Sequence, residues 1–163
     1  MDKQIYEDLI KILKRFIETE ENNYIIMALW IIGTYFHDEF LTYPYIYFNA
    51  PKGSGKTRVM SLLAFLSNKG KLTADLTESN LFRNAKTTSF FLDEFENVSK
   101  KEKFTLRLLL NSAYKKGLTI LRQRKDSDGN QVSEEFDVFT PIAMANIGGI
   151  DNVLQDRCIT IIM

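Results

Sequence analysis

Apolar positions follow two periods along the chain, and the switching between them lays out its elements. Ile5, Leu9, Ile12 and Phe16 recur at helical spacing with Lys, Glu and Asp between them. That pattern predicts an amphipathic helix, with Asp2 as a candidate start. Asn23 to about Phe36 is apolar nearly all round, which predicts a helix packed on both sides, and Tyr43 and Pro44 break it. Tyr45-Ile46-Tyr47-Phe48 is short, aromatic and β-branched and reads as a buried strand. Val59, Leu62, Leu63 and Leu66 then share one helix face, with Gly70 as the expected stop. Lys71 to Ala74 reads as a short strand, Thr77 to about Asn84 as a short helix, and Ser89 to Leu92 as a second buried strand. Ser99 and Glu102 have capping-box spacing; Leu106, Leu109, Leu110 and Ala113 form the inner face of the helix they would start, and Gly117 is its expected end. Residues 118–139 read as a hairpin turning at Asp126 to Asn130, and Ile142–Ala145 and Cys158–Ile162 as two more strands.

Strands alternating with helices predict an α/β fold: a mainly parallel five-stranded sheet covered on both faces, in three αβα layers. Residues 1–42 are expected to form a helical lead-in packed on a core of residues 43–163. A length of 163 residues suits one domain, and 45% hydrophobic with 26% charged residues excludes intrinsic disorder. Lys plus Arg and Asp plus Glu are both 21, so no uniformly basic surface marks a nucleic-acid binder, and any such role needs a local patch. One Cys and one His exclude a disulfide framework, a zinc ribbon and a His-rich metal site. His37 is expected near a helix end and Cys158 as a small buried hydrophobe. The most apolar run, Ile25 to Phe36, is too short to cross a bilayer. The chain opens on a charged amphipathic stretch and not on a leader, so a cytoplasmic protein with no membrane partner is expected.

The strongest chemical signal is Ala50-Pro51-Lys52-Gly53-Ser54-Gly55-Lys56-Thr57, followed by Arg58 at the start of the helix. It matches a Walker A loop at Gly55, Lys56 and Thr57 and departs from it at Ala50, where Gly is usual. A strand precedes it and an amphipathic helix follows, as the chemistry requires. Gly53 and Gly55 let the backbone wrap phosphate oxygens, and the helix start adds its positive dipole end. Lys56 places a charge at the β- and γ-phosphates, and the Thr57 hydroxyl suits Mg²⁺. Ala50 fits only if its φ is negative.

Ser89-Phe90-Phe91-Leu92-Asp93-Glu94 is an apolar strand ending in two acids, the Walker B shape. Asp93 is the expected Mg²⁺ partner and Glu94 the expected base or orienter of an attacking water, with Glu96 a nearby competitor. A second acid after the first favours hydrolysis over transfer to a bound acceptor. Asn146 ends an apolar strand ahead of Gly148 and Gly149. It reads equally as a phosphate- or water-binding amide and as a turn former. Arg157 reads as an arginine finger for a neighbouring subunit's nucleotide, or as a surface Arg paired with Asp156 or Asp151. Arg122, Arg124 and Lys125 lie near the hairpin tip, where they form either a DNA contact or a solvated arm diluted by Asp126, Asp128, Glu134 and Glu135.

In this order, Ala-Pro-Lys-Gly-Ser-Gly-Lys-Thr, Phe-Phe-Leu-Asp-Glu, a hairpin, Ala-Met-Ala-Asn and Leu-Gln-Asp-Arg-Cys resemble the AAA+ branch of P-loop ATPases. Within it, the chain looks like the ATPase domains of primase-associated, helicase-like replication proteins of phages and plasmids. Thr42-Tyr43-Pro44 and Leu109-Leu110-Asn111-Ser112-Ala113 match segments found there, and the likeness spans roughly residues 25–163. It implies ATP and Mg²⁺ as cofactors, Asn146 as the sensor residue, Arg157 as the Arg after the sensor strand, and a hairpin facing the pore of a homo-oligomeric ring on DNA. The helical lid typical of that branch is not expected, because the sequence stops at Met163 just after the last strand. Three functions follow as expectations: a Mg²⁺-ATPase motor core working on DNA, a slowly hydrolysing switch or loader with a protein partner, and a nucleotide-free structural module.

Overall fold

The computed structural model describes residues 3–93, 104–127 and 129–163. The two apolar periods sort into layers. Helices α1 (Lys3–Phe16) and α2 (Glu21–Thr34) lead into strand β1 (Tyr45–Asn49), helix α3 (Lys56–Leu66), strand β2 (Gly70–Thr73), helix α4 (Glu78–Asn84) and strand β3 (Ser89–Leu92). Helix α5 (Phe104–Leu110), the hairpin β4 (Thr119–Lys125) and β5 (Gln131–Asp137), strand β6 (Ile142–Asn146), helix α6 (Asn152–Gln155) and strand β7 (Cys158–Ile162) complete the order. Five strands form one sheet in the order β2-β3-β6-β1-β7, and every pairing in it is parallel.

The strand period of two divides the sheet's side chains between two cores. Ile46, Phe48, Phe91, Ala143, Ala145 and Ile161 face one cluster with α1, α2 and α3. Tyr45, Tyr47, Phe90, Leu92, Ile142 and Met144 face the other, with residues of α4, α5 and α6. Helices therefore cover both faces, as the alternation predicts. The two strand tyrosines stay buried because each hydroxyl finds an acceptor: Tyr45 donates to Leu110 O at 2.7 Å and Tyr47 to Asn146 Oδ1 at 2.6 Å.

Several boundaries differ from the sequence reading. In α1 the stripe at Leu9 and Leu13 is buried, while Ile5 and Phe16 are exposed. Gly70 does not cap α3 but opens β2, where an added Cβ would lie 2.0 Å from Ala64 O of the passing helix. Helix α5 ends at Leu110, well before Gly117. The chain leaves the helix because its next backbone groups pair elsewhere: Tyr43 N donates to Tyr114 O at 2.8 Å and Lys116 N to Leu41 O at 3.0 Å. Helix α6 is short and unforeseen, capped by Asp151 accepting from Leu154 N at 3.1 Å. The Ser99–Glu102 capping box lies outside the described residues.

Candidate functional site

Strand β6 lies between β1 and β3, so the carboxyl ends of these three strands stand side by side. The glycine-rich loop leaves the end of β1. Gly53 and Gly55 have φ of 83° and 86°, the left-handed region that a side chain rarely adopts. An added Cβ at either would meet open space, so backbone conformation and not crowding demands glycine there. Ala50 is buried, and Lys69 is the one non-glycine with positive φ among the described residues, so the Ala in place of the usual Gly costs nothing in conformation. Gly55 is the N-cap of α3 and no side chain caps it, which leaves the first N–H groups of the helix directed at the loop. The Lys56 ammonium donates to Ala50 O at 2.8 Å and Pro51 O at 3.0 Å, which holds it within the loop's curve. Pro51, Lys52 and Arg58 are exposed.

Asp93 follows the end of β3, and its N–H donates to Thr73 O at 3.2 Å. Its carboxylate accepts from the Thr57 hydroxyl at 2.6 Å. A first-turn hydroxyl of α3 and a carboxylate 36 residues on are thus in direct contact beside the loop. Among the described residues no group of three His, Cys, Asp or Glu side chains could hold a metal ion. A cation here would take one hydroxyl and one carboxylate and draw its other ligands from phosphate and water, which suits Mg²⁺. Glu94 and Glu96 lie outside the described residues.

Asn146 reaches the same edge, paired in register with Asn49, and is 2% exposed. Its Oδ1 accepts from Tyr47 OH at 2.6 Å and Gly149 N at 3.1 Å, and its Nδ2 donates to Gly149 O at 2.8 Å. The amide therefore builds the turn over Gly148 and Gly149 while lying next to the loop. Tyr47, unforeseen from the sequence, fixes which way that amide points.

Arg157 is not brought to the loop of its own chain. It precedes β7, so it lies at the amino edge of the sheet, about 16 Å of strand away. Its Nε donates to Asn111 O at 3.0 Å, it contacts Val153 O, and its guanidinium lies 5.0 Å from the Tyr114 ring centroid. Neither Asp156 nor Asp151 pairs with it; Asp151 pairs with Arg107 at 3.4 Å.

The hairpin runs beside α4. Phe136 packs on Phe82 with centroids 4.6 Å apart, and Arg122 pairs with Glu78 at the first turn of that helix. The turn therefore points toward the carboxyl edge. Arg124 pairs with Glu134 at 3.3 Å, and Lys125 is exposed at the end of β4. His37 lies just past α2, buried among Tyr43 and Phe139, near a helix end as expected. Burial pushes the Cys158 thiol up to about 12, so it stays neutral, and it donates to Leu154 O at 3.2 Å.

A cavity of about 500 Å³ opens beside the loop, between the end of α1 and the first turn of α3. Ile17, Tyr24, Ser54, Val59 and Met163 line it, with Phe16 and Arg58 at its side. The Ser54 hydroxyl is buried there with no hydrogen-bond partner. The sequence hides this cavity, because Phe16 reads as the last member of an apolar helix stripe. No protein-family model matches the chain, and no curated protein matches it.

Proposed function

We propose that the chain binds a nucleoside triphosphate with Mg²⁺ on the loop of residues 50–57 and hydrolyses it, as a P-loop ATPase. The contact between Thr57 and Asp93 carries this reading, because it joins the two oxygen donors such a site would need next to the glycine-rich loop. Backbone N–H groups of 53–57 would cradle the phosphates, and Lys56 would exchange its carbonyl partners for phosphate oxygens. Thr57 and Asp93 would hold Mg²⁺, which supplies charge neutralisation at the phosphates. Glu94, next in sequence after Asp93, would take a proton from the attacking water. Asn146, oriented by Tyr47, would border that water. Arg157 would act only on a neighbouring subunit's nucleotide, as part of a ring.

The wider proposal is a motor core for a DNA helicase or replication ATPase of a mobile element. The hairpin's direction toward the carboxyl edge supports it. The pairing of Arg122 with Glu78 and of Arg124 with Glu134 favours a second reading, a slow nucleotide-dependent switch that binds a protein partner, because these cations are already neutralised. Turnover of Mg-ATP by the purified chain, with and without DNA, tests both. Hydrolysis abolished by Lys56→Ala supports the ATPase, and stimulation by DNA supports the motor. Binding with turnover that DNA leaves slow supports the switch, and absence of binding refutes both.

A further inference from the structure

Helix α2 is apolar nearly all round, a pattern that predicts packing on both sides. The fold covers one side: Tyr24, Met27, Ala28, Trp30 and Ile31 are buried in the cluster shared with α1, α3 and the sheet. The other side is open. Ile25 is 37% exposed, Leu29 49% and Phe36, two residues past the helix, 58%, with Ile32 half-buried among them. These four positions are spaced four, three and four apart, the seam that one helix offers to another. Ile5 of α1 and Tyr35 join them, because both line an apolar cavity of about 630 Å³ with Ile32 and Phe36.

A second copy of the chain fits this stripe. The spacing reads the same in either direction, so two α2 helices packed antiparallel about a two-fold axis set Phe36 against Ile25 and Leu29 against Ile32. The open side chains expose roughly 500 Å² of apolar surface per copy, at about 150–200 Å² for a fully exposed one. A two-fold interface of ordinary size takes about 800 Å² from each copy, about two-thirds of it apolar, so the stripe supplies that apolar core. Charge does not oppose the pairing. From Asn22 to Phe36 the sequence carries no charged residue. At one end Glu21 is paired with Lys14 at 2.6 Å, and at the other Lys116 contacts Asp38 O. Glu20 and Glu39 are exposed at the rim, where water and salt screen them.

We propose that the outer face of α2 is the interface of a symmetric dimer of this chain, formed by the antiparallel pairing of the two α2 helices. The inference does not rest on the nucleotide reading above. Light scattering of the purified chain without nucleotide, over a concentration series up to about 100 µM, tests it. The wild type should reach the mass of two chains. Leu29→Glu should stay at the mass of one, with the circular-dichroism spectrum of the wild type, because it sets a carboxylate from each copy in the seam. Phe65→Glu changes a more exposed apolar residue, on α3, and should leave the dimer intact. Ile25→Glu and Phe36→Lys should each be monomeric alone and pair when mixed, because Glu then faces Lys at one end and Ile25 faces Phe36 at the other. A wild type at the mass of one chain throughout overturns the inference and leaves the face to a helix of a different protein. An assembly that Leu29→Glu leaves intact, or that Phe65→Glu breaks as readily, also overturns it. So does a failure of the mixed variants to pair.

Discussion

At the scale of single residues, the site depends on contacts between side chains that lie far apart in sequence. Thr57 and Asp93 share a hydrogen bond of 2.6 Å, and neither is buried, so either can be changed without emptying the core. Asp93→Asn should lower Mg-ATP turnover by about a hundredfold or more while the melting temperature stays near wild type. Steady-state assays over a Mg²⁺ titration with a parallel thermal melt would check this, and full activity would remove Asp93 from the site. In the proposed site Tyr47 would act through Asn146, to which its hydroxyl donates, rather than on a ligand. Tyr47→Phe should lower kcat more than it raises KM, because the amide loses one of the two donors to its Oδ1 and is held by Gly149 alone. An equal change in both would count against that role, and a parallel thermal melt separates it from loss of folded protein, which lowers apparent kcat and leaves KM alone. The loop's residue types were plain in the sequence because glycine, lysine and threonine at fixed spacing have few other uses. The places of Phe16 and Tyr47 beside the loop were not, because they depend on what packs against them.

At the scale of elements, secondary structure formed largely where apolar periodicity placed it, and apart from the unforeseen α6 the errors fell at ends. Helix α5 stops early because the Tyr43 and Leu41 backbone captures Tyr114 and Lys116, a partner more than 70 residues away that no local pattern reveals. Gly70 reads locally as a helix stop, yet its lack of a Cβ serves the crossing of α3 over the start of β2. Gly70→Ala should destabilise the protein by about 1–3 kcal/mol, because the obstructing atom is backbone and cannot rotate away. For a chain of this length that is a fall of roughly 2–12 °C in melting temperature, readable by circular dichroism. An unchanged melting temperature would mean the α3–β2 contact is looser than its geometry. In α1, Leu13 is fully buried against α2 and the sheet, whereas Ile5 is exposed. Leu13→Ala should cost about 2–5 kcal/mol and Ile5→Ala much less.

At the scale of the whole molecule, burial sets how the fold responds to alkali. Burial raises the Cys158 thiol from 9.0 to about 12, and it raises the Tyr43 and Tyr45 hydroxyls further. Each group is neutral when protonated and ionises more readily in the unfolded chain. The stability they contribute is complete below pH 9 and falls as pH rises toward 12. Urea midpoints should therefore be flat from pH 7 to 8.5 and drop above pH 9, and Cys158→Ala should lessen the drop. A midpoint that rises through that window would contradict the burial of these groups. Among the described residues no helix is long and apolar enough to cross a membrane.

By itself, the sequence determined the periods, and with them an α/β chain of alternating helices and parallel strands. It also marked the glycine-rich loop and the acidic strand end as candidates, because those depend on residue types at short spacing. Only the tertiary structure decided the strand order, which sets β6 between β1 and β3 and so brings Thr57 to Asp93. It alone turned Arg157 away from its own loop, paired Arg122 with Glu78 and Arg124 with Glu134, and set Phe16 beside Arg58 at a cavity. The reason is range: periodicity reports which face of an element is buried, but not which other element covers it. A contact across 30 or more residues costs loop-closure entropy that depends only weakly on length, so local pattern carries little trace of which distant partner is chosen.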